Sequence, residues 1–102
     1  MAEQTALLHV ALRGELTIAT AANVRGDLLE ALTTADEIEV DLAHVTEMDS
    51  AGIQIMVAAK REATARSKIL RFVAHSPAVL DTLDLTDLAA YLGDPVLLQS
   101  RM

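Results

Sequence analysis

Between Val45 and Gly52 the hydrophobic period of the chain changes, and that change constrains the fold more than any other feature. Upstream, Ile38, Val40 and Leu42 alternate with Glu37, Glu39 and Asp41, the period-two pattern of a strand with one buried face. Downstream, Ile53, Met56, Val57 and Ala63 recur near helical spacing, with Gln54, Ala58, Arg61 and Ala65 on the outer side. The polar stretch between them, Val45-Thr46-Glu47-Met48-Asp49-Ser50-Ala51-Gly52, therefore reads as a strand-to-helix turn that presents a serine hydroxyl. Asp49 and Ser50 fall where a helix begins and where backbone N–H groups have no intrahelical partner.

The same two periods organise the rest. Leu8, Val10 and Leu12 read as a first strand that Gly14 breaks, and Leu16 and Ile18 as a second short strand after a tight turn. Thr20 is the expected N-cap of a first helix whose buried stripe is Ala21, Val24, Leu28 and Leu32. Residues 37–42 form the third strand, and the second helix ends near Ser67, with Glu62 and Arg66 paired one turn apart. Ile69 to Ala74 is a nearly continuous apolar run, which predicts a fourth strand buried on more than one side. Ser76-Pro77 is a cap followed by proline at the first helical position and opens a third helix through Val79, Leu80 and Leu83. A further helical turn is expected around Leu88, Tyr91 and Leu92, and a short closing strand at 96–98.

Strands alternating with helices need crossover connections, so the third and fourth strands are expected to lie parallel in a mixed sheet covered by helices. Ligands and partners of such sheets meet the carboxyl ends of parallel strands, which is where Asp49 and Ser50 fall. At 102 residues the chain reads as one domain, 1–102, with a core of Leu, Val, Ile, Met and Ala, since Tyr91 and Phe72 are its two aromatic residues.

Charge and composition exclude several functions. A net charge of −7 with eight scattered Lys and Arg argues against nucleic acid and against anionic membrane surfaces. There is no cysteine, and His9, His44 and His75 lack zinc-site spacing, so no metal is expected. Without a Gly-rich phosphate loop no cofactor is expected either. Met1 to Thr5 shows no basic region leading into an apolar run, and charges interrupt every apolar stretch short of ~20 residues, so a soluble cytoplasmic protein is expected. An exposed serine after a strand also suggests a hydrolase elbow, but Met48 stands at its first glycine position and no histidine can be assigned as base, so no enzyme is expected.

At Met48-Asp49-Ser50-Ala51-Gly52, preceded by Ile38-Glu39-Val40-Asp41-Leu42, the chain resembles the STAS domains, most closely the stand-alone anti-sigma factor antagonists. Gly14-Glu15-Leu16 followed by Thr20-Ala21 resembles that family's second strand entering its first helix, and Ser76-Pro77-Ala78-Val79 its third-helix start. The resemblance implies an α/β fold with a mixed four- to five-stranded sheet packed with three to four helices. It also implies a role for Ser50 as the serine that a cognate anti-sigma factor kinase phosphorylates. In the family the unphosphorylated antagonist binds that kinase and frees a sigma factor, phosphorylation reverses this, and a phosphatase resets the switch. By the same resemblance Glu15, Thr17, Met48, Asp49, Ser50, Ala51, Gly52 and Gln54 make up the partner surface. Thr17 stands where the family often has aspartate, and the chain stops soon after Leu98, short of the longer final helix of many relatives.

A phosphate on Ser50 brings roughly −1.5 to −2 charges to a helix N-terminus, where the dipole and free N–H groups are expected to tolerate it. Asp49 beside it opposes that benefit. The larger effect is expected at the partner, where a surface shaped for a neutral hydroxyl meets a dianion. Ser50 and Asp49 each have a second reading as helix caps, and Gly52 as a small residue that lets the helix approach the sheet. The alternative function is an accessory STAS subunit of a lipid-transport ATPase, a stress-signalling assembly or a chemotaxis-type cluster, using the same surface without obligatory phosphorylation.

Overall fold

In the computed structural model, residues 7–86 are described, with side chains to 83. The elements in chain order are β1 (Leu7–Leu16), α1 (Ala21–Thr34), β2 (Glu37–Met48), α2 (Ser50–Ala65), β3 (Ile69–Val73) and α3 (Pro77–Thr86). The strands form one sheet in the order β1-β2-β3, with both neighbouring pairs parallel. Parallel neighbours cannot be joined by hairpins, so α1 and α2 are the crossovers, and they pack against each other as well as against the sheet. The α/β class and the strand–helix alternation are as the pattern predicts.

The sheet has three strands among the described residues, where a mixed sheet of four to five was expected. One strand is lost by merger. The pieces 8–13 and 16–18, read as two strands parted at Gly14, make one strand to Leu16 with register shifts between Ala11 and Arg13 and between Gly14 and Glu15. Gly14 adopts φ +80 within the continuous strand, and the extra residues at both shifts lie on β2, where Asp41 to His44 spans three steps against two on β1 and Val45 to Glu47 two against one. The merger has a partner strand: β2 extends past Leu42 to Met48, pairing Glu15 with Glu47 and Leu16 with Met48. Val45 to Met48 is therefore strand, and the turn shrinks to Asp49. The expected elements around residues 88–92 and 96–98 lie outside the described residues.

The core lies between the sheet and α1 and α2, built from Leu12, Leu16, Ile38, Val40, Leu42, Leu70 and Phe72 on the strands and Leu28, Leu32, Ile53, Met56, Ala59 and Ala63 on the helices. Burial in β3 is one-sided, contrary to the two-sided expectation: Leu70 and Phe72 point inward while Ile69 is 53% exposed. The opposite face of the sheet carries a charged row in which His9 Nδ1 lies 3.0 Å from Glu39 and Arg71 lies 2.8 Å from Glu37. That bond to Glu37 leads the causes that hold the Arg71 guanidinium above its ordinary value. Ser76 caps α3 as expected, its buried Oγ accepting from Val79 N at 3.3 Å. Glu62 and Arg66 pair at 2.7 Å.

Candidate functional site

The site forms where the carboxyl ends of β1 and β2 meet the start of α2. Leu16 and Met48 are register partners and the last residues of their strands, so the segments that follow them, 17–20 and 49–52, emerge side by side. Asp49 bridges the two. Its backbone is extended, at φ −129 and ψ −171, which aims the carboxylate across the first turn of α2. Oδ1 accepts from Ala51 N at 2.9 Å and Gly52 N at 3.3 Å, while Oδ2 accepts from Ile18 N at 3.1 Å. Its backbone oxygen also accepts from Gly52 N and Ile53 N.

This arrangement separates two roles that the sequence left joined. Asp49 is the cap of α2. Ser50 is the first helical residue, its side chain is exposed, and its hydroxyl makes no hydrogen bond among the described residues. The arrangement also corrects the expectation that free first-turn N–H groups would receive a phosphate: those of Ala51, Gly52 and Ile53 are already committed to Asp49. Any charge on Ser50 would stay at the surface beside a carboxylate. The helix dipole remains as compensation, and a neighbouring anion offsets it.

Gly52 is buried, and a β-carbon there would collide with the Leu16 carbonyl oxygen and crowd Leu16 Cγ and Met48 Cγ, both at 3.0 Å. The glycine lets the first turn of α2 rest on the end of β1. Leu16 was absent from the expected site residues, although a glycine in a first helical turn hints at some such close approach.

The 17–20 turn is braced from within. Thr17 Oγ1 accepts from Ala19 N at 3.2 Å and donates to Glu15 Oε1 at 3.1 Å. Thr20 Oγ1 accepts from Thr17 N at 3.2 Å and donates to Glu15 O at 2.9 Å. Thr20 precedes α1, as expected, but its side chain caps this turn and not the helix. Ile18, expected on a buried strand face, is 77% exposed at the tip. Alternation misplaced it because β1 ends two residues earlier.

Glu15, Thr17, Met48, Asp49, Ser50, Ala51 and Gly52 are thus brought together. Gln54 stands one turn along α2 from Ser50 and on the same face, followed by Ala58 and Arg61, which with Ile53 and Val57 line a shallow open groove. Glu15 and Glu47 face each other in register at the site's edge, an acidic pairing that sheets ordinarily avoid. Among the described residues there is no cluster of His, Asp and Glu suited to a metal ion, and no helix is long and apolar enough to cross a membrane.

Comparison with known proteins gives these features a context. A family model described as "Mlab, STAS domain" matches residues 1–99. The fold is similar to that of tm1081 from Thermotoga maritima, assigned to the anti-sigma factor antagonists, with a TM-score of 0.71, 20% identity and 82% of this chain and 74% of that one covered. It is likewise similar to the unphosphorylated form of the anti-sigma factor antagonist SpoIIAA, with a TM-score of 0.68, 19% identity and 98% and 89% covered. No curated protein matches by sequence.

Proposed function

The chain belongs to the STAS domain family, and we propose that it is a non-enzymatic, phospho-switchable binding module, an anti-sigma factor antagonist that holds an anti-sigma factor with serine-kinase activity while Ser50 is unphosphorylated. The observation that carries this reading is the exposed Ser50 hydroxyl, relieved of capping by Asp49 and set on the face shared with Gln54, Ala58 and Arg61. Supporting it, one solved structure of similar fold is that of the anti-sigma factor antagonist SpoIIAA, and the other, tm1081, is assigned to the same class.

The switch works at the interface. A docked partner desolvates Ser50, and a dianion there is left unpaired, which costs an interface about 2–5 kcal/mol. Glu15, Glu47 and Asp49 make the surroundings acidic, so a basic partner rim suits the unmodified surface, and an acidic or apolar contact over Ser50 rejects the modified one. A phosphatase restores the hydroxyl. The protein acts in the cytoplasm in this reading, as one STAS domain.

A second reading, an accessory STAS subunit that docks through the same surface without modification, draws on Thr17, which leaves the turn uncharged, and on a family model described by Mlab and not by an antagonist. One experiment separates the two. Wild type, Ser50→Ala and Ser50→Asp are titrated with the candidate kinase, and the wild type is weighed intact after incubation with ATP and that kinase. The antagonist reading expects one phosphate, confined to Ser50, and affinity lowered by more than about tenfold in Ser50→Asp. Equal affinity in all three proteins, with no added phosphate, overturns it in favour of the accessory subunit.

A further inference from the structure

We propose that Asp49 is a positioning residue that locks the Ile18 turn to the Ser50 end of α2, so that the two segments dock as one rigid surface with the Ile18 side chain as its apolar anchor. The proposal rests on the docking function above and adds to it the residue that builds the surface and the chemistry of the socket.

The carboxylate of Asp49 is divided between two tasks. Oδ1 serves the helix, and a cap needs nothing more; Oδ2 reaches a backbone N–H 31 residues earlier in the chain. The bonds made by Thr17 and Thr20 brace the turn to itself, to Glu15 and, through Val24 N–H, to the start of α1, but not to α2. Attachment of the turn tip to α2 therefore falls to Oδ2.

What the lock holds in place is unusual. Ile18 is more exposed than Leu7 at 46% or Ile69 at 53%, the other large apolar side chains open to solvent among the described residues. Leu7 and Ile69 share one register row through Glu37 at the amino ends of the strands, whereas Ile18 stands alone at the carboxyl end beside Ser50. An apolar side chain held in water on a fixed turn is suited to burial in a partner, and fixing it beforehand lowers the ordering cost of binding. The tip Thr17-Ile18-Ala19-Thr20 carries no charge, while Glu15, Glu47 and Asp49 flank it. The partner it fits is a protein surface with an apolar socket for Ile18 and lysine or arginine at the rim.

The test uses Asp49→Asn, which keeps one oxygen for the Ala51 and Gly52 amides but replaces the other with an amide nitrogen unable to accept from Ile18 N–H. Asp49→Ala removes both acceptors. Amide hydrogen exchange is followed by NMR on the full chain, and affinity for the kinase titrated above is measured in both Asp49 variants, in Ile18→Ala and in the double variant Asp49→Asn/Ile18→Ala. The lock predicts that Ile18 amide exchange quickens about tenfold or more in both Asp49 variants. It also predicts that Asp49→Asn weakens binding and that Ile18→Ala then costs little further, the two effects failing to add. Unchanged Ile18 exchange in Asp49→Ala overturns the lock. Faster exchange with additive losses of affinity overturns the positioning role. If wild type does not bind the kinase, the proposed function fails, and the exchange measurement alone decides whether Asp49 holds the turn.

Discussion

The Leu16 carbonyl oxygen stands where a β-carbon on Gly52 would have to go, so the first turn of α2 lies directly on the end of β1. The same oxygen receives the Asp49 N–H at 3.4 Å, which ties the helix start to the strand end from both sides. Ser50 is thereby mounted on the core and not on a free loop, and its position follows from packing.

Gly52→Ala is expected to destabilise the protein by about 1–3 kcal/mol, the cost of forcing an extra methyl into a packed site. The obstructing atom is backbone, and it cannot retreat without disturbing the pairing of Leu16 with Met48. Gly26→Ala provides the contrast. A β-carbon there meets nothing within 4 Å, in the interior of α1, so the substitution is expected to stabilise by about 0.5–1 kcal/mol. Urea unfolding of the two variants should give shifts of opposite sign.

Because Asp49 and not Ser50 caps α2, the two residues are expected to differ sharply in stability. Ser50→Ala should stay within about 0.5 kcal/mol of wild type, as exposed positions without partners usually do. Asp49→Ala should cost about 1–2 kcal/mol, chiefly the lost cap. Thermal melts of both variants check this, and a large loss in Ser50→Ala would show that its hydroxyl has a structural bond.

The Ser76 cap and the buried helix stripes were legible in the sequence because they are local. Ser76-Pro77, the Glu62–Arg66 pair and the inward placement of Leu28, Leu32, Ile53 and Met56 follow from spacing along one element. Most failures concern β1 and β2 beyond Leu12 and Leu42; the others are Thr20, whose side chain does not cap α1, and β3, which is buried on one side only. β2 carries one extra residue between Asp41 and His44 and another between Val45 and Glu47, which shifts its side-chain alternation, so Val45 follows Leu42 into the core at a spacing of three. A glycine in an apolar run reads equally as a turn or as a paired strand residue, and only the partner strand decides. The site was legible as a cluster, since Asp49 and Ser50 mark a helix start. The division of labour between them, and the exposure of Ile18, depend on a bond spanning 31 residues that no local pattern records.

Gly14 offers a backbone test. A β-carbon there has open space, so any cost of Gly14→Ala comes from φ +80 alone, about 1–2 kcal/mol for an L-residue in the left-handed region. Gly14→Asn should lose less, because asparagine tolerates that region better than alanine. Denaturant midpoints that place alanine below asparagine and asparagine below glycine would bear out the left-handed backbone at Gly14.

Thr17 explains itself through the bonds of its hydroxyl, which accepts from Ala19 N and donates to Glu15 Oε1. Aspartate at this position retains an acceptor for Ala19 N but has no proton to donate at neutral pH, and it brings a second carboxylate within reach of Glu15. Thr17→Asp is therefore expected to destabilise by about 0.5–1 kcal/mol at low salt, the scale of a partly exposed charge contact. The penalty should shrink towards zero near 1 M salt, where screening acts within about 3 Å. Thr17→Ser, which keeps both bonds, should fall within about 0.5 kcal/mol of wild type at every salt concentration. Urea unfolding across a salt series distinguishes the causes: a penalty for Thr17→Asp that salt leaves untouched would place it in turn geometry, whereas one that fades with salt places it in the repulsion between residues 15 and 17.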